Sequence, residues 1–255
     1  MLRVGSALKG YAITASDGEI GTVADLLFDD TTWKVRWLVV DTGSWLTGRK
    51  ILVHPSAIGK ADYLRQVFSV SLTKAQVRDS PNILEDQPVS RQMQDGIFKH
   101  YGWDHPVWGG SQFERGTTES PLEPSHNLDA ALRDATSYQA HLAHEDRDLR
   151  SMDTVTGYHC HASDGAIGHV QDFLIDDRFW AISYLIIDTR NWWPGQHVLV
   201  SPYAVKKVNW SDSQIEFSVT REQVKASPAW EPLDVIDQVY EERLHNHYGW
   251  PGYGW

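Results

Sequence analysis

The chain has 255 residues, of which 23 are Lys or Arg and 34 are Asp or Glu, so its formal net charge is −11. An acidic chain lacks the excess of basic side chains that neutralises phosphates, so neither nucleic acid nor an anionic membrane surface is expected as a partner. No apolar run approaches the roughly 18 residues of a membrane span, and the first ten residues lack the apolar stretch of a signal peptide. With a single cysteine, Cys160, no intrachain disulfide can form, and we expect a cytoplasmic protein without direct membrane insertion.

The chain repeats itself at an offset of 147 residues. The dipeptide Gly10-Tyr11 recurs at 157–158, and the tail sequence His-Tyr-Gly-Trp at 100–103 recurs at 247–250. Across 10–81 and 157–228, roughly 30 of 72 aligned positions are identical without a gap, which indicates a duplicated domain. The predicted domains are therefore 1–108 and 152–255, joined by a linker at 109–151.

Each copy begins as a β-rich segment. The Asp17-Gly18 dipeptide is typical of a tight hairpin turn and separates strands predicted at 11–15 and 20–28. Four more strands are expected after it, at 35–40, 51–53, 57–60 and 67–72. About six short strands per copy at this spacing favour a small barrel.

Helices are predicted after the strands. Thr73 and Thr220 have the spacing of a capping box and should begin short helices, and second helices are expected at 90–101 and 235–248. Residues 109–125 have the composition of a linker, and an amphipathic helix is predicted from 128 to 148. The predicted fold is all-β with accessory helices, in which two six-stranded barrels in tandem are joined by a helical linker.

The order of motifs in each copy resembles the PRC-barrel family. Both copies contain Gly-Tyr, Asp-Gly-x-Ile-Gly, an Asp-Asp turn, a Trp, an apolar strand that ends in Asp-Thr, and Val-x-Pro. The resemblance covers 5–81 and 152–228, and the Tyr-Gly-Trp tails are similar to those of stand-alone bacterial tandem PRC-barrel proteins. It implies small β-barrels used for protein contacts, with no catalytic residues and no cofactor. The family is named after the cytoplasmic domain of the photosynthetic reaction-centre H subunit, which has a membrane helix that is absent here.

Two groups of polar residues could carry chemistry. His159, His161 and His169 form the densest histidine group, but a two-residue turn at Asp164-Gly165 would pair 169 with 160 and place the other two histidines on the opposite face. A surface role is favoured over a metal site. The repeated aspartates fit turn positions or structural hydrogen bonds better than metal or acid/base sites. These aspartates are Asp17, Asp25, Asp29, Asp30 and Asp41, with Asp164, Asp172, Asp176, Asp177 and Asp188 in the second copy.

Tryptophan is the conspicuous excess, with 12 in the chain. Trp33, Trp180 and Trp37 fall in strand patterns and are expected in the core. The others lie in loops or tails, where aromatic side chains form interface hot spots. The candidate interaction surface consists of Trp45, Trp192, Trp193, Trp103, Trp108, Trp250 and Trp255. The tails should be ordered, packed either over the mouth of their own barrel or on the other barrel.

These observations favour a non-catalytic scaffold or adaptor that binds protein partners. Two alternative functions remain open. One is a soluble accessory of photosynthetic or other membrane electron transport, as the H-subunit resemblance implies. The other is a stress protein that binds a metal or a small molecule. A homo-oligomer is compatible with each of them.

Overall fold

A computed structural model of the chain describes residues 1–81, 91–103, 149–189, 197–231 and 236–251. We refer to the described parts of 1–103 and 149–251 as the first and second repeats. The predicted linker at 109–151 lies almost wholly outside the described residues, as does the predicted helix at 128–148.

The two repeats contain corresponding elements in the same order, except that the 3-10 turn at Ser6–Leu8 in the first is a short α-helix, Met152–Val155, in the second. The first repeat consists of β1 (Leu2–Val4), β2 (Ala12–Ala15), β3 (Gly18–Asp29), β4 (Val35–Asp41), β5 (Lys50–Val53), β6 (Ile58–Asp62), β7 (Val67–Val70), α1 (Lys74–Arg78) and α2 (Arg91–Tyr101). The second repeat consists of β8 (Leu149–Ser151), α3 (Met152–Val155), β9 (His159–Ala162), β10 (Gly165–Asp176), β11 (Ala181–Asp188), β12 (His197–Val200), β13 (Val205–Asn209), β14 (Gln214–Phe217), α4 (Arg221–Lys225) and α5 (Gln238–Tyr248). Short 3-10 turns lie at Ser6–Leu8, Pro55–Ala57 and Pro202–Ala204.

Local chemistry explains the hairpin and the helix that follows the strands. Thr73 and Thr220 each form the predicted capping box. The threonine hydroxyl accepts the backbone N–H of the third helical residue, Gln76 or Gln223, whose side chain accepts the backbone N–H of the threonine. The Asp17 carboxylate accepts the backbone N–H of Lys74 at 2.8 Å, and Asp164 does the same for Arg221. The aspartate of each Asp-Gly turn therefore holds the start of the helix against the hairpin.

Gly21 and Gly168 are required by the close approach of neighbouring backbone. Both have positive φ, 149° and 133°. A Cβ placed on Gly21 would lie 2.1 Å from the carbonyl oxygen of Asp41, and one on Gly168 would lie 1.9 Å from that of Asp188. No other residue fits these positions without displacing β4 or β11.

The strands form two mixed sheets. The hydrogen-bonded order is β5-β4-β3-β2-β7-β6 in one sheet and β12-β11-β10-β9-β14-β13 in the other, with β2/β7 and β9/β14 parallel. The six strands predicted for each copy are present in these paths. The sheets are not closed, in contrast to the predicted barrels: within the described residues no ladder joins β5 to β6 or β12 to β13. Each of these pairs is connected by a 3-10 turn that begins with proline. The chain therefore bends sharply between the two strands, and they do not run side by side.

A seventh strand in each sheet comes from the other repeat. β1 pairs antiparallel with β10, and β8 pairs antiparallel with β3. The repeats have therefore exchanged their N-terminal strands. The sequence analysis predicts neither of these strands, each of which has three residues.

The junction of the repeats has approximate two-fold symmetry. Lys34 forms an isolated antiparallel bridge with Ala181, its own counterpart at the offset of 147. Beside this bridge the backbone N–H of Val35 donates to Trp180 at 2.7 Å, and that of Ile182 donates to Trp33 at 2.8 Å. Buried side chains of both repeats belong to one continuous hydrophobic core.

Candidate interaction site

The exchanged strands carry an arginine that reaches across the junction. Arg150 Nε donates to Asp30 at 2.8 Å, and its guanidinium lies 4.0 Å from the centre of the Trp210 ring. Its counterpart, Arg3, donates from Nε to Asp177 at 3.3 Å and lies 3.8 Å from the ring of Tyr63. Each arginine therefore lies between a carboxylate of the other repeat and an aromatic ring of its own repeat.

The aspartates inside β3 and β10 fix the chain that follows each exchanged strand. Asp25 accepts hydrogen bonds from the hydroxyl of Ser151 at 2.5 Å and the backbone N–H of Asp153 at 3.3 Å. Asp172 accepts one from the backbone N–H of Ser6 at 3.1 Å. Burial raises the pKa of Asp25, and the Ser151 hydrogen bond opposes that rise. The structural hydrogen bonds predicted for this pair of aspartates are present, and they join the two repeats.

Most of the other repeated aspartates stabilise turns. Asp29 accepts backbone N–H groups from Thr31 and Thr32 at 3.1 and 2.7 Å, and Asp41 accepts that of Gly43 at 2.8 Å. These are the hydrogen bonds expected of aspartate at turn positions.

A cavity of about 920 Å³ opens beside the junction. One wall is the turn at 30–34 of the first repeat, and the opposite walls are β11 and β13 of the second repeat. We call this cavity the junction groove. Side chains from both repeats line the junction groove, which lies beside the open corner between β12 and β13.

Exposed aromatic side chains mark the junction groove. Phe179 is 69% exposed and Tyr203 is 55% exposed, and both line it. The first repeat has Thr32 and Ser56 at the equivalent positions. Large aromatic side chains exposed beside a concave surface are typical of a binding site.

Two residues that line the junction groove, Tyr184 and His245, belong to a polar cluster that also contains Glu241. The hydroxyl of Tyr184 lies 2.8 Å from Nε2 of His245 and 3.3 Å from the carboxyl of Glu241. Nδ1 of His245 lies 2.6 Å from the carbonyl oxygen of Pro251, which can only accept, so Nδ1 carries a proton. A phenol has one proton, which Tyr184 can donate to the carboxyl of Glu241.

The pKa of Glu241 is raised even though the hydrogen bond from Tyr184 opposes the rise. Burial raises it to about 7, and the nearby Asp176 carboxylate contributes to the rise. Because the folded state holds this proton more tightly than the unfolded chain does, the free energy of unfolding falls as pH rises from the ordinary glutamate range through about 7.

The first repeat has a different cluster at the same place. Trp37, Gln94 and Phe98 occupy the positions of Tyr184, Glu241 and His245, and the indole N–H of Trp37 donates to Gln94 at 3.0 Å. His54 packs against Trp37, Phe98 and Trp103 with ring centres 5.2–6.2 Å away.

His54 has an acid-sensitive environment. Burial among these rings and the charge of Arg36 lower its pKa to about 4. The unfolded chain takes up a proton at this imidazole near its ordinary pKa, about 6.5, whereas the folded chain does not. The stability contributed here is therefore lost as pH falls from about 6.5 towards 4.

Two of the tail tryptophans, Trp103 and Trp250, pack on their own repeats. Trp250 is 8% exposed and stacks on Tyr248 with ring centres 4.2 Å apart, and Trp103 stacks on Tyr101 at 4.5 Å. Trp45 is half-buried, with Lys74 Nζ 4.9 Å from its ring centre. The other predicted surface residues, Trp108, Trp192, Trp193 and Trp255, lie outside the described residues.

The predicted register of the histidine strand is wrong by one position. His169 pairs with His159, not with Cys160, because the ladder shifts between Ala166 and Gly168. His159 and His169 therefore share a face. Cys160 is buried, and burial raises its thiol pKa. In the parts of the chain that the structure describes, no group of three or more His, Cys, Asp or Glu side chains could hold a metal ion.

The helices give no sign of a membrane span. Among the described residues, none is both long enough and apolar enough to cross a bilayer.

Sequence comparison identifies the first repeat. Residues 5–76 match the model of the PRC-barrel domain family. The mostly β architecture, the paired sheets and the junction groove thus belong to a chain that contains a PRC-barrel domain.

A relative is found in Deinococcus radiodurans. Over 92 residues the chain is 37% identical to an uncharacterized protein of that bacterium. The match covers 36% of this chain and 31% of the relative, so the chain spans less than a third of that protein's length.

Proposed function

We propose that the chain is a non-catalytic, cytoplasmic scaffold that binds a protein partner through two interlocked PRC-barrel repeats. The second repeat is assigned to the same family because its elements follow those of the first at a constant offset of 147 residues. Strand exchange supports a role in which the two repeats act as one rigid body, because neither sheet has all its strands without the other repeat.

The observation that carries this proposal is the pair of exposed aromatic side chains beside the junction groove. Phe179 and Tyr203 together present apolar surface next to a concavity that both repeats line. Aromatic anchors around such a concavity supply most of the binding free energy in many protein interfaces. The hydrogen bond between the buried side chains of Tyr184 and His245 fixes two of the residues that line the junction groove.

A second candidate function is the binding of a small molecule. The volume of the junction groove, about 920 Å³, is in the range of ligand pockets, which is about 300–1,000 Å³. The polar cluster below it would orient such a ligand.

The test compares the full chain with a double variant. Phe179→Thr and Tyr203→Ser place the first repeat's own residues at equivalent positions, so the fold should be retained. Leu64→Ser is the matched control, because Leu64 is 98% exposed outside the junction groove and Ser211 is its counterpart. We expect proteins that co-purify with the tagged chain to be lost from the double variant and kept by the control. Equal recovery from all three chains would refute the assignment of the junction groove as the binding face.

A further inference from the structure

The junction groove is rich in positive charge although the chain is acidic overall. Four basic and two acidic side chains line it, in a chain whose net charge is −11. The basic residues are Lys34, Arg178, Lys206 and Lys207, and the acidic residues are Asp30 and Asp176.

The carboxylates are occupied within the protein. Asp30 is paired with Arg150 at 2.8 Å, and Asp176 is paired with Arg178 at 2.8 Å. By contrast, no ion pair with another described residue involves Lys34, Lys206 or Lys207, and all three are exposed. The lysines are thus the charges that a ligand would meet.

Strand geometry adds one of these charges to the junction groove. The ladder between β13 and β14 pairs Val205 with Phe217 and Lys207 with Glu216, so Lys206 is the extra residue of a bulge. A bulge redirects the side chain that it carries. At the equivalent bulge between β6 and β7 the first repeat has Gly59, which offers no side chain. The positive charge of Lys206 is therefore specific to the second repeat.

Charge and aromatic surface together define the occupant. We propose that the partner inserts an acidic segment bearing an aromatic or large aliphatic side chain into the junction groove; this inference rests on the proposed function. The carboxylates of the segment would lie near Lys34 and Lys206, and its apolar side chain would pack between Phe179 and Tyr203. A basic segment does not match, because it would meet like charge in the junction groove.

The experiment uses a fluorescently labelled synthetic peptide of alternating glutamates around one phenylalanine. Its binding to the full chain is measured by fluorescence anisotropy at 50 and 500 mM NaCl. Two matched peptides replace every glutamate by glutamine or the phenylalanine by alanine. Citrate and inorganic phosphate serve as competitors that carry charge without an apolar group.

The protein variants again exchange residues between repeats. Lys34→Ala and Lys206→Gly introduce the residues found at the equivalent positions of the other repeat. Lys60→Ala is the control, because Lys60 is an exposed cation outside the junction groove. We expect the double variant to bind the acidic peptide about tenfold more weakly and the control to bind it normally. High salt should weaken binding of the acidic peptide and reduce the difference between the variants.

Several results would overturn the inference. These are equal binding of the glutamine peptide, unchanged affinity in the double variant, and complete competition by citrate or phosphate at the peptide's own concentration, which would indicate a small-anion site. A partner that requires Phe179 and Tyr203 but is insensitive to salt and to the lysine variants would leave the scaffold proposal standing and refute the acidic segment. Co-purification of partners that does not depend on Phe179 and Tyr203 would refute the assignment of the junction groove as the binding face.

Discussion

Replacing Arg150 by alanine should destabilise the protein more than replacing Arg3. Arg150 makes a 2.8 Å ion pair with Asp30, in which the side chains are 27% and 11% exposed, and its guanidinium stacks 4.0 Å from Trp210. The ion pair is worth about 1 kcal/mol and the ring contact about another 1 kcal/mol. Loss of packing by the aliphatic stem adds to these contributions, so Arg150→Ala should lower the free energy of unfolding by about 2–3 kcal/mol.

The smaller effect at Arg3 follows from its geometry. Its ion pair with Asp177 is longer, 3.3 Å, and Asp177 also lies 2.7 Å from the terminal ammonium of Met1. Asp177 therefore keeps a partner when Arg3 is removed, and Arg3→Ala should cost about 1–2 kcal/mol.

Urea titration followed by tryptophan fluorescence measures both differences. Arg65→Ala is the control, since Arg65 is 84% exposed and its contact with Asp62 is 3.9 Å long, so the change should stay below about 0.5 kcal/mol. At this chain length Arg150→Ala should also lower the melting temperature by about 5–8 °C. An Arg150 variant as stable as the Arg65 variant, or less affected than the Arg3 variant, would show that the exchanged strands are not held in this way.

Three further predictions concern the tails and the titrating groups. Trp250→Ala should lower the free energy of unfolding by about 2–4 kcal/mol, and Trp103→Ala by less because it is more exposed; thermal melts that leave both unchanged would contradict the packing of the tails. Glu241→Gln should stabilise the protein by about 1–2 kcal/mol at pH 8, after allowance for solvent screening of a partly exposed carboxylate, and hardly at about pH 3.5, where that group is largely protonated in both states. His54→Ser should reduce the stability lost between pH 6.5 and 4, as read from urea titrations across that range; an unchanged pH profile would show that His54 is not the acid-sensitive group.

The hairpin, the central strands and the capped helices could be predicted because their signals are local. The Asp-Gly turn and the capping box at Thr73 each depend on neighbouring residues, and the structure contains both. The exchanged strands are three residues long, and Arg3 lies opposite Ile175, far away in sequence. Such pairing leaves no periodic pattern, although the recurrence of Leu-Arg at 149–150 was an available signal.

The junction groove was hidden for a related reason. Its walls come from both repeats, so no contiguous motif describes it. The available signal was difference between the repeats: Phe179 and Tyr203 stand where the first repeat has a threonine and a serine. The excess of tryptophan instead indicated the tails as the interaction surface, but Trp250 is buried.

The exchange of N-terminal strands also determines when the protein can finish folding during synthesis. The sheet of the first repeat lacks β8 until residues 149–151 have left the ribosome, and β1 has no partner until β10 has been made. A growing chain that ends before these residues exposes the edge of β3 together with an unpaired strand, and a second such chain can supply the missing pairing. We therefore expect the two repeats to complete folding in a single late step, and prematurely terminated chains to pair with one another through the same strands.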